Sequence, residues 1–251
     1  MHTNPHPAGR PRRVVGPRRG SQERLSIVRW AAGLGAVTAE ALSYRRDISI
    51  AAARGRLQGA VAARWLQACR PLYGAPALYT VTRSGMRAAG CRLQSCRVSA
   101  GNARHLILCA SVAAGLERCY PDHAVGGERA LRHQESEAGE SLASAMLGRG
   151  AAGEPLLHRP DLVLWPRAVL PGARPLAVEV ELTVKAARRL EAICRAWARC
   201  ERVAGVIYLA APEVQRPLDR AIEKAKAQER VIALPLGCLP GPVGKTIPSD
   251  A

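Results

Sequence analysis

Two short apolar runs separated by a turn constrain the fold of this chain more than any other feature. Residues 162–165 read Leu-Val-Leu-Trp, and residues 176–182 read Leu-Ala-Val-Glu-Val-Glu-Leu. The segment between them contains Pro171-Gly172, a pair typical of turns. Apolar runs of strand length on both sides of such a turn predict a β-hairpin. Alternation in the second run places its acidic side chains on one face of the sheet and its valines on the other.

Three carboxylates belong to this predicted hairpin. Asp161 directly precedes the first strand, where pairing can bring it beside Glu179, and Glu181 shares the face of Glu179. Carboxylates gathered on one patch repel one another unless a cation lies among them, and Mg²⁺ prefers oxygen ligands. A metal ion held in this way can activate water for attack on a phosphodiester. The alternative is that the alternating acids form the solvated face of an edge strand.

Basic residues are concentrated in the first half of the chain. Residues 1–120 hold 19 Arg and four acidic residues, whereas residues 121–251 hold 18 basic and 16 acidic residues. A basic half beside a balanced half predicts a module that binds a polyanion, and we favour nucleic acid over a generic basic surface. Residues 1–22 are rich in Pro, Gly and Arg, which predicts a disordered basic arm that either contacts phosphates or is a solvated tail.

Cysteine spacing and the absence of long apolar segments indicate a cytoplasmic protein. None of the eight cysteines forms a C-x-x-C pair. We therefore expect free buried thiols in a reducing compartment rather than a zinc site at Cys91 and Cys96. The N-terminus lacks the apolar core of a signal peptide, and no stretch reaches the roughly 18 apolar residues of a membrane span. We expect no membrane partner.

Residues 23–92 predict three short helices followed by two β-prone runs. Thr38 and Ser49 are favourable N-caps for the second and third helices. Residues 71–82 hold the β-prone runs about a Gly/Pro turn, which Arg83-Ser-Gly85 closes. The pattern predicts a compact unit of three helices and a hairpin.

This order of elements resembles a winged helix-turn-helix domain, with residues 78–85 similar to the second wing strand and its close. The resemblance implies that the helix starting at Ile50 enters the major groove of double-stranded DNA and that the wing touches the backbone. The DNA-binding residues that it implies are Arg54, Arg56, Arg64 and Arg83. The alternative is a small helical module that binds another protein.

Residues 102–238 predict a second, α/β (α+β) domain, and residues 239–251 a flexible tail. Its expected elements are a helix over 102–120, a strand and turn over 123–132, a variable loop over 134–157, the hairpin, a helix over 188–203, a strand over 206–210, a helix over 217–229 and a strand over 231–236. Four histidines have no evident partners and are expected to be structural: His105, His123, His133 and His158. Of these, His158 is the one to test for a role in the site, because it lies near Asp161 in sequence.

The second domain resembles the PD-(D/E)xK nuclease superfamily in the order of its elements. Its matching motifs are Pro160-Asp161 and Glu179-Val180-Glu181, with Lys185 just beyond them. Glu181 stands where the superfamily usually has Lys, which is a departure from the pattern. The resemblance implies a mixed sheet flanked by helices and a Mg²⁺-dependent endonuclease site.

Residue roles follow from the same resemblance. Asp161 and Glu179 would hold Mg²⁺, for which Mn²⁺ can substitute. Glu181 would bind the metal or orient the attacking water, and Lys185 would stabilise the developing charge of the phosphate. An outer carboxylate would come from one of two further acids, Glu117 or Glu128.

Four short motifs and the preceding winged helix make the chain similar to the replication-relaxation family. The motifs are R-H-L at 104–106, G-E-R-A-L-R at 127–132, H-R-P-D at 158–161 and A-V-E-V-E-L-T-V-K at 177–185. The resemblance implies a DNA-binding protein that acts in plasmid or mobile-element replication or transfer, with relaxase or replication proteins as partners. The alternative is a non-catalytic DNA-binding accessory protein or a transcriptional regulator that keeps the nuclease fold as a scaffold.

Overall fold

A computed structural model describes residues 19–168, 172–239 and 241, which adopt a mixed α+β fold. The elements follow one another as α1 (Arg19–Leu34), β1 (Ala36–Val37), α2 (Ala39–Arg46), α3 (Ile50–Ala62), β2 (Leu66–Cys69), β3 (Leu78–Val81), α4 (Arg83–Ala89), α5 (Ala100–Cys119), β4 (His123–Gly127), α6 (Glu128–Ala138), β5 (Ala145–Arg149), β6 (Pro155–His158), β7 (Leu162–Pro166), β8 (Leu176–Glu181), α7 (Ala187–Ala198), β9 (Gly205–Ala210), α8 (Pro212–Lys224) and β10 (Val231–Pro235). Among these helices, none has both the length and the apolar character that crossing a membrane requires.

The N-terminal elements combine three helices with a three-stranded sheet in the order β1-β3-β2. The central strand β3 pairs antiparallel with both neighbours. Both predicted N-caps are confirmed, since the Thr38 side chain accepts a hydrogen bond from Ala41 N at 3.0 Å and the Ser49 side chain accepts one from Ala52 N at 3.1 Å. Each cap satisfies an amide that has no partner within its helix, so α2 and α3 begin where the sequence predicts.

The larger sheet has the strand order β10-β9-β8-β7-β4 and contains the predicted hairpin. Strands β7 and β8 pair antiparallel with Leu162 opposite Val178, so the next position aligns Asp161 with Glu179, as predicted. Strands β9 and β10 run parallel to β8, and the helices α7 and α8 make the crossovers. Pro171 of the predicted turn lies outside the described residues.

The two faces of this sheet contribute to different hydrophobic cores. Val178 and Val180 belong to a core that also contains α5 and side chains of α1, α2 and α3. Val163 and Ala177 belong to a second core built with α7 and α8. Buried residues run without a break from Ile107 to Leu116, so α5 is covered on all sides rather than along one amphipathic stripe. The helix is enclosed because it lies between the N-terminal elements and the sheet.

A close approach between backbones also joins the two parts of the chain. A Cβ added to Gly127, at the end of β4, would lie 2.5 Å from the carbonyl oxygen of Gly33 in α1. Any side chain at this position would separate α1 from β4, so the contact requires glycine.

The predicted variable loop over 134–157 is wrong. Helix α6 continues to Ala138, and β5 and β6 then pair antiparallel as a separate two-stranded sheet. The side chain of Glu135 orders the connection, because its Oε1 accepts hydrogen bonds from Leu142 N at 3.1 Å and Ser144 Oγ at 2.6 Å. Small polar residues that are typical of loops are therefore held by one buried carboxylate.

The predicted wing hairpin is displaced along the chain. Its first strand is β2, which lies before the predicted 71–82 segment. This strand begins at Leu66, whose side chain is buried in the core. Arg83-Ser-Gly85 does not close a hairpin but begins α4, and Thr82 caps that helix by accepting a hydrogen bond from Gly85 N at 3.0 Å. A Cβ on Gly85 would lie 2.1 Å from the carbonyl oxygen of Trp65, so glycine is required at this position.

Several other boundaries differ from the prediction. Residues 128–132 begin α6 instead of forming a turn, and α7 ends at Ala198 rather than at 203. Helix α8 spans Pro212–Lys224 rather than 217–229, because the fixed φ of proline suits the first helical position. Residues 19–22 belong to α1 rather than to a disordered arm, and Leu239 packs against the first core. The rest of the predicted arm (1–18) and of the predicted tail (240 and 242–251) lies outside the described residues.

Candidate functional site

One cleft collects all four predicted catalytic residues. Asp161, Glu179, Glu181 and Lys185 line a cavity of about 380 Å³ at the start of β7 and the end of β8. Four further nitrogen-bearing side chains line the same cavity: Arg104, His105, His158 and Arg159. Acidic and basic groups therefore face one another across a space that is large enough for a phosphate group and part of its nucleoside.

Each carboxylate of the site has its own nitrogen partner in the protein. Asp161 Oδ1 lies 3.0 Å from His105 Nε2, and Glu179 Oε1 lies 2.7 Å from His158 Nε2. Glu181, the last residue of β8, forms an ion pair with Lys185 in the connection to α7. These hydrogen bonds and this ion pair lower the cost of gathering the three carboxylates. The expectation that His105 has no partner is wrong.

Asp161 is held rigidly at the start of β7. Its Oδ2 accepts a hydrogen bond from Val180 N at 2.8 Å, and its carbonyl oxygen accepts one from Glu128 N at 2.9 Å. The residue thus bridges β8 and the N-terminus of α6 while Oδ1 remains turned toward His105. Such fixation on several sides keeps the carboxylate oxygens in one place before any ligand binds.

Burial changes the proton affinities of two site residues. Glu179 is only 6% exposed, and burial raises its pKa although the hydrogen bond from His158 opposes that effect. Burial also lowers the pKa of Lys185, while the charges of Glu179 and Asp161 act in the opposite direction. Both shifts favour the neutral forms of these two groups.

A second group of side chains, with the ligand types that metal ions take, overlaps this cleft. Cys109 lies four residues after His105 on α5, and its Sγ is 3.3 Å from His105 Nε2. The ligand atoms of His105, Cys109 and Asp161 all lie within 4.8 Å of one another. In the described part of the chain, neither Glu179 nor Glu181 belongs to such a group of three. The spacing of four residues on a helix is the signal that could have revealed His105 and Cys109 from the sequence.

Arg159 enters the cleft from a fixed position. Its Nε donates a hydrogen bond to Glu135 Oε2 at 2.8 Å, and Glu135 is 4% exposed. Sequence reasoning missed this pair because Glu135 lies in the segment that was predicted as a loop. Glu135 therefore both orders the connection after α6 and positions a basic side chain of the site.

Neither candidate for the outer carboxylate lines the cleft. Glu117 forms an ion pair with Arg45 of α2, far along α5 from His105. Glu128 forms an ion pair with Arg132 and faces a different cavity beside α6. The expectation that one of them joins the site is wrong, because ion pairs with arginine hold both side chains elsewhere.

The predicted DNA-binding arginines are spread over the N-terminal elements. Arg54 lies 3.5 Å from Glu40 of α2, and Arg56 lies 3.0 Å from Glu23 of α1. Both arginines therefore form ion pairs with neighbouring helices. Arg64 adopts a left-handed backbone (φ 59°) between α3 and β2, and Arg83 is the exposed first residue of α4. Arg54 and Arg56 leave α3 in different directions because residues two apart do not share a helix face.

Comparisons with known proteins add no relative. Scans against protein families, curated proteins and solved structures each found no match to this chain.

Proposed function

We propose that the protein is a DNA-binding protein of the replication-relaxation type, with a nuclease-like domain that hydrolyses phosphodiester bonds in the cleft. Its place would be plasmid or mobile-element replication or transfer, with double-stranded DNA and relaxase or replication proteins as partners. The proposal combines a basic N-terminal part with a site of carboxylates and phosphate-binding cations.

The observation that carries the proposal is the convergence of three of the four sequence motifs on one cleft. The first contributes Arg104 and His105, and the third contributes His158, Arg159 and Asp161. The fourth contributes Glu179, Glu181 and Lys185. The second motif lies outside the cleft but contacts it, because the Glu128 backbone amide donates a hydrogen bond to the Asp161 carbonyl oxygen. Motifs scattered over 80 residues meet in space in this way when they serve one site.

The order of the N-terminal elements supports DNA binding. Helices α1, α2 and α3 followed by an antiparallel sheet are what a winged helix-turn-helix domain requires, with α3 as the recognition helix. Helix α3 begins with an exposed Ile50 and carries Arg54 on its exposed surface. The excess of arginine in residues 1–120 supplies the attraction to phosphate.

The larger sheet supports the nuclease-like part of the proposal. Its antiparallel β7–β8 pair, the following helix α7 and the parallel strand β9 reproduce the element order expected of the PD-(D/E)xK core. In this proposal Asp161 at the start of β7 and Glu179 near the end of β8 would be the metal ligands of that core. Glu181 departs from the pattern, and Lys185, its ion-pair partner, would supply the ammonium group.

The donor atoms of the cleft fit a divalent cation. Asp161 and Glu179 offer the oxygen ligands that Mg²⁺ or Mn²⁺ takes, and they would hold it once His105 and His158 turn aside. Such an ion, when bound, lowers the pKa of a coordinated water. Arg104, Arg159 and Lys185 would bind and orient the phosphate. His158 and Glu181 would be the groups that transfer protons as acid and base.

A second candidate function is a non-catalytic DNA-binding accessory protein or a transcriptional regulator. The specific observation in its favour is that each carboxylate of the cleft is paired with a protein nitrogen, which removes the electrostatic need for a metal ion. Fold alone does not decide between a scaffold and an enzyme. The cleft would then bind a phosphate of DNA without cutting it.

A cleavage assay with isosteric variants separates the two functions. We expect the wild-type protein to nick or linearise supercoiled plasmid with Mg²⁺ or Mn²⁺, and Asp161→Asn or Glu179→Gln to lower the rate about 100-fold or more. These changes remove a negative charge while they keep the side-chain volume. Gel electrophoresis over time gives the rate for each variant.

The matched control is Asp219→Asn, which removes a carboxylate from the exposed surface of α8. It should cut as fast as the wild type. Cutting that persists in the Asp161 and Glu179 variants would trace the activity to a contaminant or another site. DNA binding without cutting by any form of the protein would establish the accessory function instead.

A further inference from the structure

We propose that His105, Cys109 and Asp161 form a binding site for a thiophilic divalent cation of the zinc class. The inference goes beyond the proposed function, because it concerns a softer metal ion than Mg²⁺ and requires neither DNA nor cleavage. Nitrogen, sulfur and oxygen ligands together favour zinc, cobalt or a similar ion, whereas Mg²⁺ takes oxygen ligands almost exclusively.

The separations from His105 Nε2 to the other two ligand atoms are close to those of a tetrahedral zinc site. His105 Nε2 lies 3.0 Å from Asp161 Oδ1 and 3.3 Å from Cys109 Sγ. Zinc–ligand bond lengths imply separations of about 3.3 Å for nitrogen to oxygen and about 3.6 Å for nitrogen to sulfur in a tetrahedral site. Each of these two separations is about 0.3 Å shorter than in a tetrahedral zinc site, and the third pair of ligand atoms lies within 4.8 Å.

Hydrogen bonding within the group also favours a cation. Both the Asp161 carboxylate and the Cys109 thiol converge on the same nitrogen, His105 Nε2. That nitrogen holds at most one hydrogen, so it can donate to the carboxylate or accept from the thiol but cannot do both. A metal ion bound by all three atoms satisfies each of them at once.

The elements that carry the ligands hold them in place before the ion arrives. His105 and Cys109 are one turn apart on α5, which is enclosed between the two parts of the protein. The bond from Val180 N fixes Asp161 Oδ2 and leaves Oδ1 directed at His105. Preorganised ligands of this kind lose little conformational freedom when they bind a metal.

The site is closed on the sulfur side and open on the other. Cys109 is 6% exposed, whereas His105 and Asp161 line the cleft. Three protein ligands leave a fourth position of a tetrahedral ion for a water molecule or a phosphate oxygen. Because Asp161 is common to both sites, an ion of the zinc class bound here would compete with Mg²⁺ held by Asp161 and Glu179.

Titration of the metal-free protein with Co²⁺ tests the site. Cobalt replaces zinc in such sites and gives a sulfur-to-cobalt charge-transfer band in the near ultraviolet when a thiolate binds it. We expect one Co²⁺ per chain, a charge-transfer band that Zn²⁺ abolishes by displacement, and no displacement by equimolar Mg²⁺. In Cys109→Ser the band should disappear and Co²⁺ affinity should fall about 100-fold.

Cys200→Ser is the matched control, since Cys200 is also buried, at 8% exposure, but lies outside the ligand group. It should keep the band, and circular dichroism of both serine variants should show the wild-type fold. A wild-type protein that binds no Co²⁺, or a band that survives in Cys109→Ser, would overturn the proposal. Because the assay contains no DNA, a failure of the cleavage function leaves this result unaffected, and the converse also holds.

Discussion

At the scale of single residues, the thiol of Cys194 is a buried titratable group in α7. Burial and then the charge of Glu179 raise its pKa to about 11, whereas an ordinary thiol has a value of 9.0. Between these values the unfolded chain releases its proton while the folded chain keeps it, so the free energy of unfolding falls as the pH rises. Cys194→Ala lacks this titration. Between pH 9 and 10.5, we expect the free energy of unfolding of the wild type to fall by about 1–2 kcal/mol more than that of this variant. Urea unfolding followed by circular dichroism measures both values.

The control is Cys119→Ala, because Cys119 is exposed at the end of α5. Its stability should follow that of the wild type over the same pH range. Parallel pH curves for the wild type and Cys194→Ala would show that the Cys194 thiol ionises equally easily in both states.

The carboxylates of the site could be predicted from the sequence, but their partners could not. Asp161 and Glu179 follow from a local strand pattern and a hairpin register, both of which involve neighbouring segments. His105 is 56 residues from Asp161, and it reaches Asp161 only because α5 packs on the sheet. The pairing of His158 with Glu179 depends on where β6 ends relative to β8. Such contacts are decided by packing, which a local pattern does not encode.

At the scale of elements, one buried carboxylate holds α6, its following connection and the cleft together. Glu135 Oε1 accepts hydrogen bonds from the 142–144 segment, and its Oε2 accepts one from Arg159. Glu135→Gln removes the charge and turns one acceptor into a donor, which leaves Arg159 without its ionic partner. We expect this variant to lose about 2–4 kcal/mol of stability in urea unfolding.

Glu137→Gln is the matched control on the same helix, since Glu137 is exposed. Surface changes of this kind alter stability by less than about 0.5 kcal/mol. A similarly small effect for Glu135→Gln would show that the hydrogen bonds to its carboxylate do not stabilise the fold.

Elements with local signals were predicted better than elements without them. The capped helices α2 and α3 and the apolar strands β7, β8 and β9 were correct in type and place. The β5–β6 pair was missed because its strands are mostly exposed and lack alternation. Its order depends on Glu135, whose hydrogen bonds reach seven to nine residues along the chain.

At the scale of the whole molecule, the N-terminal elements and the larger sheet share one hydrophobic core. Ile27, Leu42 and Leu57 belong to the same cluster as Val178 and Val180. The basic part of the chain is thus anchored directly to the part that carries the cleft. A DNA duplex bound to the N-terminal elements would therefore keep a constant orientation relative to the cleft.

The uneven distribution of charge leads to a prediction about salt. If α3 contacts the DNA backbone, Arg54→Ala combined with Arg56→Ala removes two phosphate contacts. Each contact contributes about 0.9 to the slope of log affinity against log salt, so the slope should decrease by about 2 and affinity at low salt should fall about 10-fold or more. Fluorescence anisotropy with a labelled duplex at several salt concentrations measures both quantities.

A double variant on the other part of the chain provides the comparison. Arg216→Ala combined with Arg220→Ala removes the same charge from exposed positions of α8. Its slope should match that of the wild type if binding is confined to the N-terminal elements. Equal losses in both double variants would indicate a general effect of net charge, and an unchanged Arg54/Arg56 variant would exclude α3 as the DNA-contacting helix.

The sequence by itself determined the hairpin with Asp161 and Glu179, the caps of α2 and α3 and the concentration of basic charge in the first half. These features depend on strand alternation, on hydrogen bonds between residues close in sequence and on composition, all of which are local. Only the tertiary structure decided that His105, His158 and Lys185 lie beside the carboxylates and that Cys109 joins Asp161. The reason is physical: α5 must be buried between two parts of the chain before its side chains can reach the sheet, and that burial is a property of the whole fold.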